Sequence, residues 1–244
     1  LKRWPNELAN LIRFGHANLD AIESTVTRLP IDCDFERSGE LLVATEPYQV
    51  DHLRARIERV ARYGEQLEWI DQAALKAHID SPTYLGGLLD RSGTALVNPA
   101  RLAWGLREAC LKLGVKIFDR TPALGLAEET DRVTVKTPYG AVRSKRVALA
   151  TNAYPPLLNR LSYYVVPVYD YVLMTEPLSA EQRRAIGWPG REGIGDSGNQ
   201  FHYYRTTIDG RILWGGYDAV YHWNNGFGAH LENDAESFGR LAEH

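Results

Sequence analysis

A mixed α/β fold with α+β character is what this sequence predicts, and three observations carry that expectation. Apolar residues recur at helical spacing from Leu8 to Leu29 and again from Leu102 to Leu113, the signature of helices laid against a core. The uncharged run "VALAT" at 147–151 shows no alternation, as a strand covered on both faces of a sheet would. From Tyr163 onward, strand-like runs separated by tight turns take over, the pattern of a mostly antiparallel sheet.

The elements follow in chain order. Leu8, Leu11, Ile12, Leu19, Ile22, Val26 and Leu29 form one helical stripe that Pro30 closes. "DCDFERSGELLVAT" reads as two strand-like runs joined by a Ser38-Gly39 turn. Pro47 suits the first turn of a second helix, with Val50, Leu53, Ile57 and Val60 as its apolar face and Gly64 at its end. Asp71 caps a short third helix reaching about Ile79. Asn98 and Pro99 open a fourth, which Gly114 ends. Strand "VKIFD" is expected next, then three strands in "ALGLAEE", "RVTVKT" and "AVRSKRVALAT". "YYVVPVYDYVLMTEPL" reads as a long strand, bent or at an edge because Pro167 lies inside it. Ser179 to Gln182 reads as a capping box, and Asp209-Gly210 as the turn of a hairpin.

The totals narrow the function classes. The 244 residues allow one large domain or two smaller ones. Lys and Arg number 28 against 31 acids, a net charge of −3, which gives no electrostatic basis for binding nucleic acid or an anionic membrane. No apolar stretch has the length of a membrane span. Cys33 and Cys110 stand far apart without ligand spacing, and read as reduced thiols of a cytoplasmic protein. No signal peptide opens the sequence, no His spacing suggests a metal, and no G-x-S-x-G or serine or cysteine triad is present. The first residues, from Leu1, and the last both fall within helical pattern, so a longer chain is expected.

Three stretches are candidates for chemistry. "GIGDSG" fits G-x-G-x-x-G with Gly193, Gly195 and Gly198. The dinucleotide fingerprint needs a strand before it and a helix after it; here "GWPGRE" precedes and "FHYYR" follows, so a glycine-rich surface loop is expected instead. "VALATNAYPP" ends a buried run in small residues; either a ligand passes close to the backbone there, or a core strand makes a tight exit. In "HYYR", Tyr203 and Arg205 share one strand face and His202 and Tyr204 the other. Arg205 beside Tyr203 could hold a carboxylate with two parallel bonds, or pack along an aromatic strand.

Taken in order, "DRSGTALVNPARL", "GVKIFDRTPALGL", "VALATNAY", "VPVYDYVLMTEPL" and "DGRILWGGYD" resemble the middle of an FAD-dependent oxidoreductase of the D-amino acid oxidase, glycine oxidase and sarcosine oxidase family. The γ-glutamylputrescine oxidase-like branch is the nearest in flavour. The resemblance spans nearly the whole chain, without the family's first G-x-G-x-x-G unit or its last flavin-closing segment.

The resemblance implies a partial FAD-binding domain with a small antiparallel crossover, plus a mostly antiparallel-sheet substrate domain. It implies boundaries of 1–29 and 88–160 for the flavin domain and 30–87 and 161–244 for the substrate domain. "TPALGL" is similar to the strand that meets the adenine, which points to Thr121, Pro122 and Ala123. "ALATNA" is similar to the segment passing the ribose and pyrophosphate, which points to Ala150, Thr151, Asn152 and Ala153. On the substrate side the resemblance points to Tyr203 and Arg205, and to Tyr169 on the strand that crosses between domains. The activity implied is oxidation of a primary or secondary amine or amino acid, with hydride passing to flavin and an imine, and in oxidases peroxide, as products. The missing fingerprint predicts weak FAD binding by these 244 residues alone. A cofactor-free binding module and a flavoprotein acting on a hydroxyl substrate remain the alternatives.

Overall fold

A seven-stranded sheet organises the molecule. The computed structural model describes Trp4 and residues 6–244; the expected helical start at Leu1 lies outside the described residues. The chain forms α1 (Leu8–Arg28), β1 (Glu40–Ala44), α2 (Pro47–Ala61), β2 (Leu67–Asp71), α3 (Gln72–Leu75), β3 (Gly86–Asp90) and α4 (Pro99–Lys112). It continues through β4 (Gly125–Glu128), β5 (Val133–Thr137), β6 (Gly140–Ser144), β7 (Val172–Met174) and α5 (Ala180–Ile186). The last elements are β8 (Gly193–Asp196), β9 (His202–Thr206), β10 (Ile212–Gly216) and α6 (Ala235–Glu243). The large sheet has the order β2-β3-β1-β8-β9-β10-β7, and β4-β5-β6 form a separate antiparallel sheet.

Every pairing in the large sheet is antiparallel except β1 with β8, which run parallel from Glu40↔Gly193 to Val43↔Asp196. That one ladder joins the first three strands of the chain to the last group. The two sheet faces are covered differently. On one, Leu41, Val43, Leu89, Ile194 and Tyr204 pack with Leu75, Tyr84 and Trp188 into the main core. The Tyr84 and Tyr204 hydroxyls bond to each other inside it, so the buried phenols are satisfied. On the other face, Leu53 of α2 packs with Ala44 and Leu88.

Local chemistry set these elements largely as expected. Pro47 and Pro99 stand at the starts of α2 and α4, and the Asn98 side chain accepts the Arg101 N–H at 3.2 Å. Asp71 caps α3 through the Ala74 N–H, Ser179 and Gln182 form the reciprocal capping box of α5, and Gly187 ends it in the left-handed region at φ 61°. Both cysteines are free, Cys33 buried and Cys110 half-buried.

Several expectations are corrected. Residues 147–151 form no strand, and alternate between half-buried and exposed. Residues 115–119 are likewise exposed and unpaired. In both cases the apolar composition is that of a covered strand, yet no strand among the described residues lies beside it, and a strand without a neighbour has no ladder. The same holds for helices: Leu11 and Phe14 on α1 are each 56% exposed, and Trp104 on α4 is 67% exposed. The run from Tyr163 is a strand only at Val172–Met174, at the sheet edge, with an isolated Tyr169↔Val220 bridge before it. Of the two runs around Ser38-Gly39, the first contributes only the Glu36↔Leu96 bridge. α3 stops at Leu75 rather than near Ile79. Strands β2 and β3 were not anticipated, because "LEWID" and "GGLLD" are too short and too mixed to stand out by period alone.

The packing gives a stability prediction. Leu41 is fully buried in the main core whereas Leu111 is 41% exposed. Leu41→Ala should lower the unfolding free energy in urea by about 2–5 kcal/mol, and Leu111→Ala by less than about 0.5 kcal/mol. Equal effects would mean that the sheet is not the stabilising core.

Candidate functional site

The clearest correction concerns "GIGDSG". It is not a surface loop: Gly193–Asp196 is β8, hydrogen-bonded to β1 on one side and β9 on the other. Ile194 turns into the core, 2% exposed. Gly193 and Gly195, two apart, therefore face the opposite side with no side chain at all. The motif is no nucleotide fingerprint either, since a strand rather than a helix follows it.

Those two glycines floor a cleft of about 910 Å3. Glu40 and Leu42 from β1 stand on one side, Tyr203 and Arg205 from β9 on the other, and Leu213 and Met174 lie beyond. The segment Thr94–Pro99, leading into α4, closes it from above. A glycine in a strand interior is costly unless something must approach the backbone. The run from Gly193 to Gly195 combines that cost with central placement in the sheet.

Tyr203 lies flat across Gly215, where an added Cβ would stand 2.7 Å from its ring. This orientation brings its hydroxyl to the Asp170 carboxylate, to which it donates at 2.8 Å. Burial, then the bond to Asp170 and its negative charge, push the Tyr203 phenol well above its usual range. Arg205 donates from Nη1 to the Val97 carbonyl at 2.9 Å, and its Nε is buried without a partner. No carboxylate pairs with it among the described residues, unlike Arg101 with Asp32 and Asp34, or Arg191 with Glu36. Burial, followed by repulsion from Arg191, lowers its pKa. A guanidinium keeps its charge regardless, so the cleft wall carries a cation with no carboxylate in contact among the described residues, Asp34 acting on it only from farther off.

Asp196 is committed to structure. Its carboxylate accepts the Gly198 and His202 N–H groups at 2.9 and 3.0 Å and meets His202 Nδ1 at 2.7 Å, holding the turn from β8 to β9. Among the described residues no group of three acidic, His or Cys side chains could hold a metal, and no helix is long and apolar enough to cross a membrane.

The structure thus brings Tyr203 and Arg205 together on the cleft wall. Tyr169 stands elsewhere, its ring edge-on to His222 at 5.0 Å and its hydroxyl accepting the Gly228 N–H. Its neighbour Asp170 is the residue that reaches Tyr203. Thr121, Pro122 and Ala123 lie in irregular backbone before β4, and Ala150 to Ala153 in irregular backbone with a turn at Thr151–Tyr154. Asn152 there is left-handed at φ 46°. Neither segment lines the cleft. Gly193, Gly195, Glu40 and Asp170 were missed; the alternation of glycine with Ile194 in a strand-length run was the one signal available for the first two.

The architecture is mixed α/β, an antiparallel-rich sheet carrying an open cleft on one face. The pattern that defines the family "FAD dependent oxidoreductase" matches residues 2–244, and the chain belongs to that family. It is 34% identical over 204 residues to gamma-glutamylputrescine oxidoreductase of Escherichia coli K12, covering 81% of this chain and 46% of that protein. With the probable oxidoreductase OrdL of Haemophilus influenzae it shares 32% over 203 residues, 81% of this chain and 47% of the relative. The chain therefore spans about half the length of these curated relatives. In fold it is similar to L-proline dehydrogenase from P. horikoshii (TM-score 0.74, 17% identity, 95% of this chain and 60% of that one). Glycine oxidase from Bacillus cereus is comparable (TM-score 0.75, 16% identity, 96% and 61%).

Tyr203 supplies a pH prediction. A phenol whose folded pKa is raised loses stabilisation as pH climbs past the unfolded value, so stability should fall above about pH 10. Asp170→Asn removes the nearby charge, so the Tyr203 ionisation should move down toward the ordinary range. Tyrosinate absorbance, with Tyr203→Phe as the subtraction, reads it; superimposable curves for the native protein and Asp170→Asn would refute the coupling.

Proposed function

We propose that the cleft is the substrate pocket of an FAD-dependent enzyme that oxidises a primary or secondary amine or an amino acid. The observation that carries this reading is Arg205, a half-buried guanidinium on the wall of a mostly apolar cleft with no carboxylate partner among the described residues. A planar carboxylate matches its fork, and Gly193 and Gly195 add no side chain to the cleft floor, where Leu96 and Leu42 lie against them. Tyr203, locked by Gly215 and Asp170, forms the adjacent wall. In the relatives' class the flavin takes the hydride, and the protein's share is orientation and exclusion of water.

FAD itself would be held by Thr121, Pro122 and Ala123 together with Ala150, Thr151, Asn152 and Ala153. In support, the N–H groups of Asn152 and Ala153 have no hydrogen bond among the described residues, and the small neighbours leave them approachable. The domain division would assign 1–29 and 88–160 to the flavin and 30–87 and 161–244 to the substrate. β3 carries the large sheet through Asp90, past the expected boundary at 87.

Three experiments test this reading. Turnover of amines and amino acids should be measured against 2-hydroxy acids; exclusive turnover of the hydroxyl compounds would replace the amine assignment with the hydroxyl one. Arg205→Gln should raise KM for carboxylate-bearing substrates roughly ten- to hundredfold and change kcat less; an unaltered KM would remove Arg205 from the site. For the cofactor, Ala153→Trp should abolish flavin retention on a desalting column, and unchanged flavin content would count against the 150–153 assignment.

A further inference from the structure

Resting on the reading of the cleft as a substrate pocket, we infer that Leu96 is a specificity-determining residue: together with Gly193 beneath it, it sets how bulky an apolar group the cleft admits. The packing at Gly193 carries this inference. A Cβ added there would stand 3.3 Å from Leu96 Cδ2, inside the ordinary carbon–carbon separation of about 3.5–4.0 Å. Leu96 is half-buried and lines the cleft, so its side chain stands between the β8 backbone and the open volume. Glycine at 193 thus makes room for the leucine, and the leucine, rather than the strand backbone, is the surface a ligand meets.

Its backbone makes Leu96 a fixed stop. The Glu36 N–H donates to the Leu96 carbonyl at 3.0 Å, and the Leu96 N–H to the Glu36 carbonyl at 2.8 Å. On either side, the Gly39 N–H donates to the Thr94 carbonyl at 3.3 Å and the Asn98 N–H to the Cys33 carbonyl at 2.8 Å. Arg205 holds the Val97 carbonyl between them. With Thr94, Leu96, Val97 and Asn98 all tied, the side chain has no retreat by backbone movement when a ligand enters. Leu42 covers Gly195 at 3.6 Å, an ordinary contact, so the tight fit is confined to the Leu96–Gly193 pair. An apolar wall selects by fit, one methylene being worth roughly 10–200-fold. Removing Cγ, Cδ1 and Cδ2 of Leu96 should therefore change which shape binds, while Arg205 still holds the carboxylate.

Calorimetric titration with two isomeric acids, hexanoate and 3,3-dimethylbutanoate, tests this. The native protein should bind the slender isomer more tightly. Leu96→Ala should move the affinity ratio about tenfold toward the branched isomer, and Leu96→Val should move it less, in the same direction. Gly193→Ala should press Leu96 into the cleft and move the ratio the other way. In the Leu96→Ala background the same glycine substitution should leave the ratio unchanged, because residues that act through one contact are not additive. A ratio that neither Leu96 variant moves, or equal effects of Gly193→Ala in both backgrounds, would overturn the inference. Its failure separates from that of the pocket reading: binding with an unmoved ratio removes only the role of Leu96, whereas binding of neither acid removes the pocket and the inference together. A ratio that follows Leu96 without any turnover of amines leaves the inference standing and sinks only the reaction.

Discussion

Two absent side chains determine what the sheet can do. β8 is bonded on both edges, so its backbone is fully used, and Ile194 anchors it in the core. Because Gly193 and Gly195 put nothing on the other face, Leu96 and Leu42 can close down onto the β8 backbone between the walls from β1 and β9. The alternation of a strand makes this division sharp: one residue in two builds the core, and the rest are free to make a floor. The placement of Tyr203 extends the same logic, since it can lie down only because Gly215 offers no Cβ.

Legibility from sequence followed how local each signal was. Caps and turns were read correctly at Asn98, Asp71, Ser179 and Asp209-Gly210, because each depends on a few neighbouring residues. The three-stranded excursion at Gly125–Ser144 was legible for the same reason. The facing of Tyr203 and Arg205 away from His202 and Tyr204 followed from period alone. What failed needed knowledge of neighbours. "GIGDSG" looked like a loop because glycine is a poor strand former, and only its partners β1 and β9 make it one. "VALAT" looked like a buried strand because of its composition, and it lacks partners among the described residues. The alignment of β1 beside β8 depends on a ladder between distant parts of the chain, which no local pattern encodes.

The exposed apolar residues sort by element. The helices α1 and α4 and the segment from Val115 to Leu124 carry Phe14, Trp104, Ile117 and Phe118 into solvent, whereas β1, β3 and β8 are almost wholly covered. Amphipathic periodicity records the surface a helix was selected to touch, and on α1 only Val26 is buried. The large sheet has its cover within these residues; the helical flank does not.

The solitary parallel ladder between β1 and β8 also sets the order in which the molecule can be made. β1, β3 and β2 are close in sequence and can pair early as the chain emerges from the ribosome. β1 must then present an open, hydrogen-bond-hungry edge while the entire middle of the chain is synthesised, until Gly193–Asp196 arrives to cover it. Pairings between such distant segments form slowly, and an uncovered edge is a template for the wrong strand. The floor of the cleft is therefore also a seam that closes only after the middle of the chain has been made.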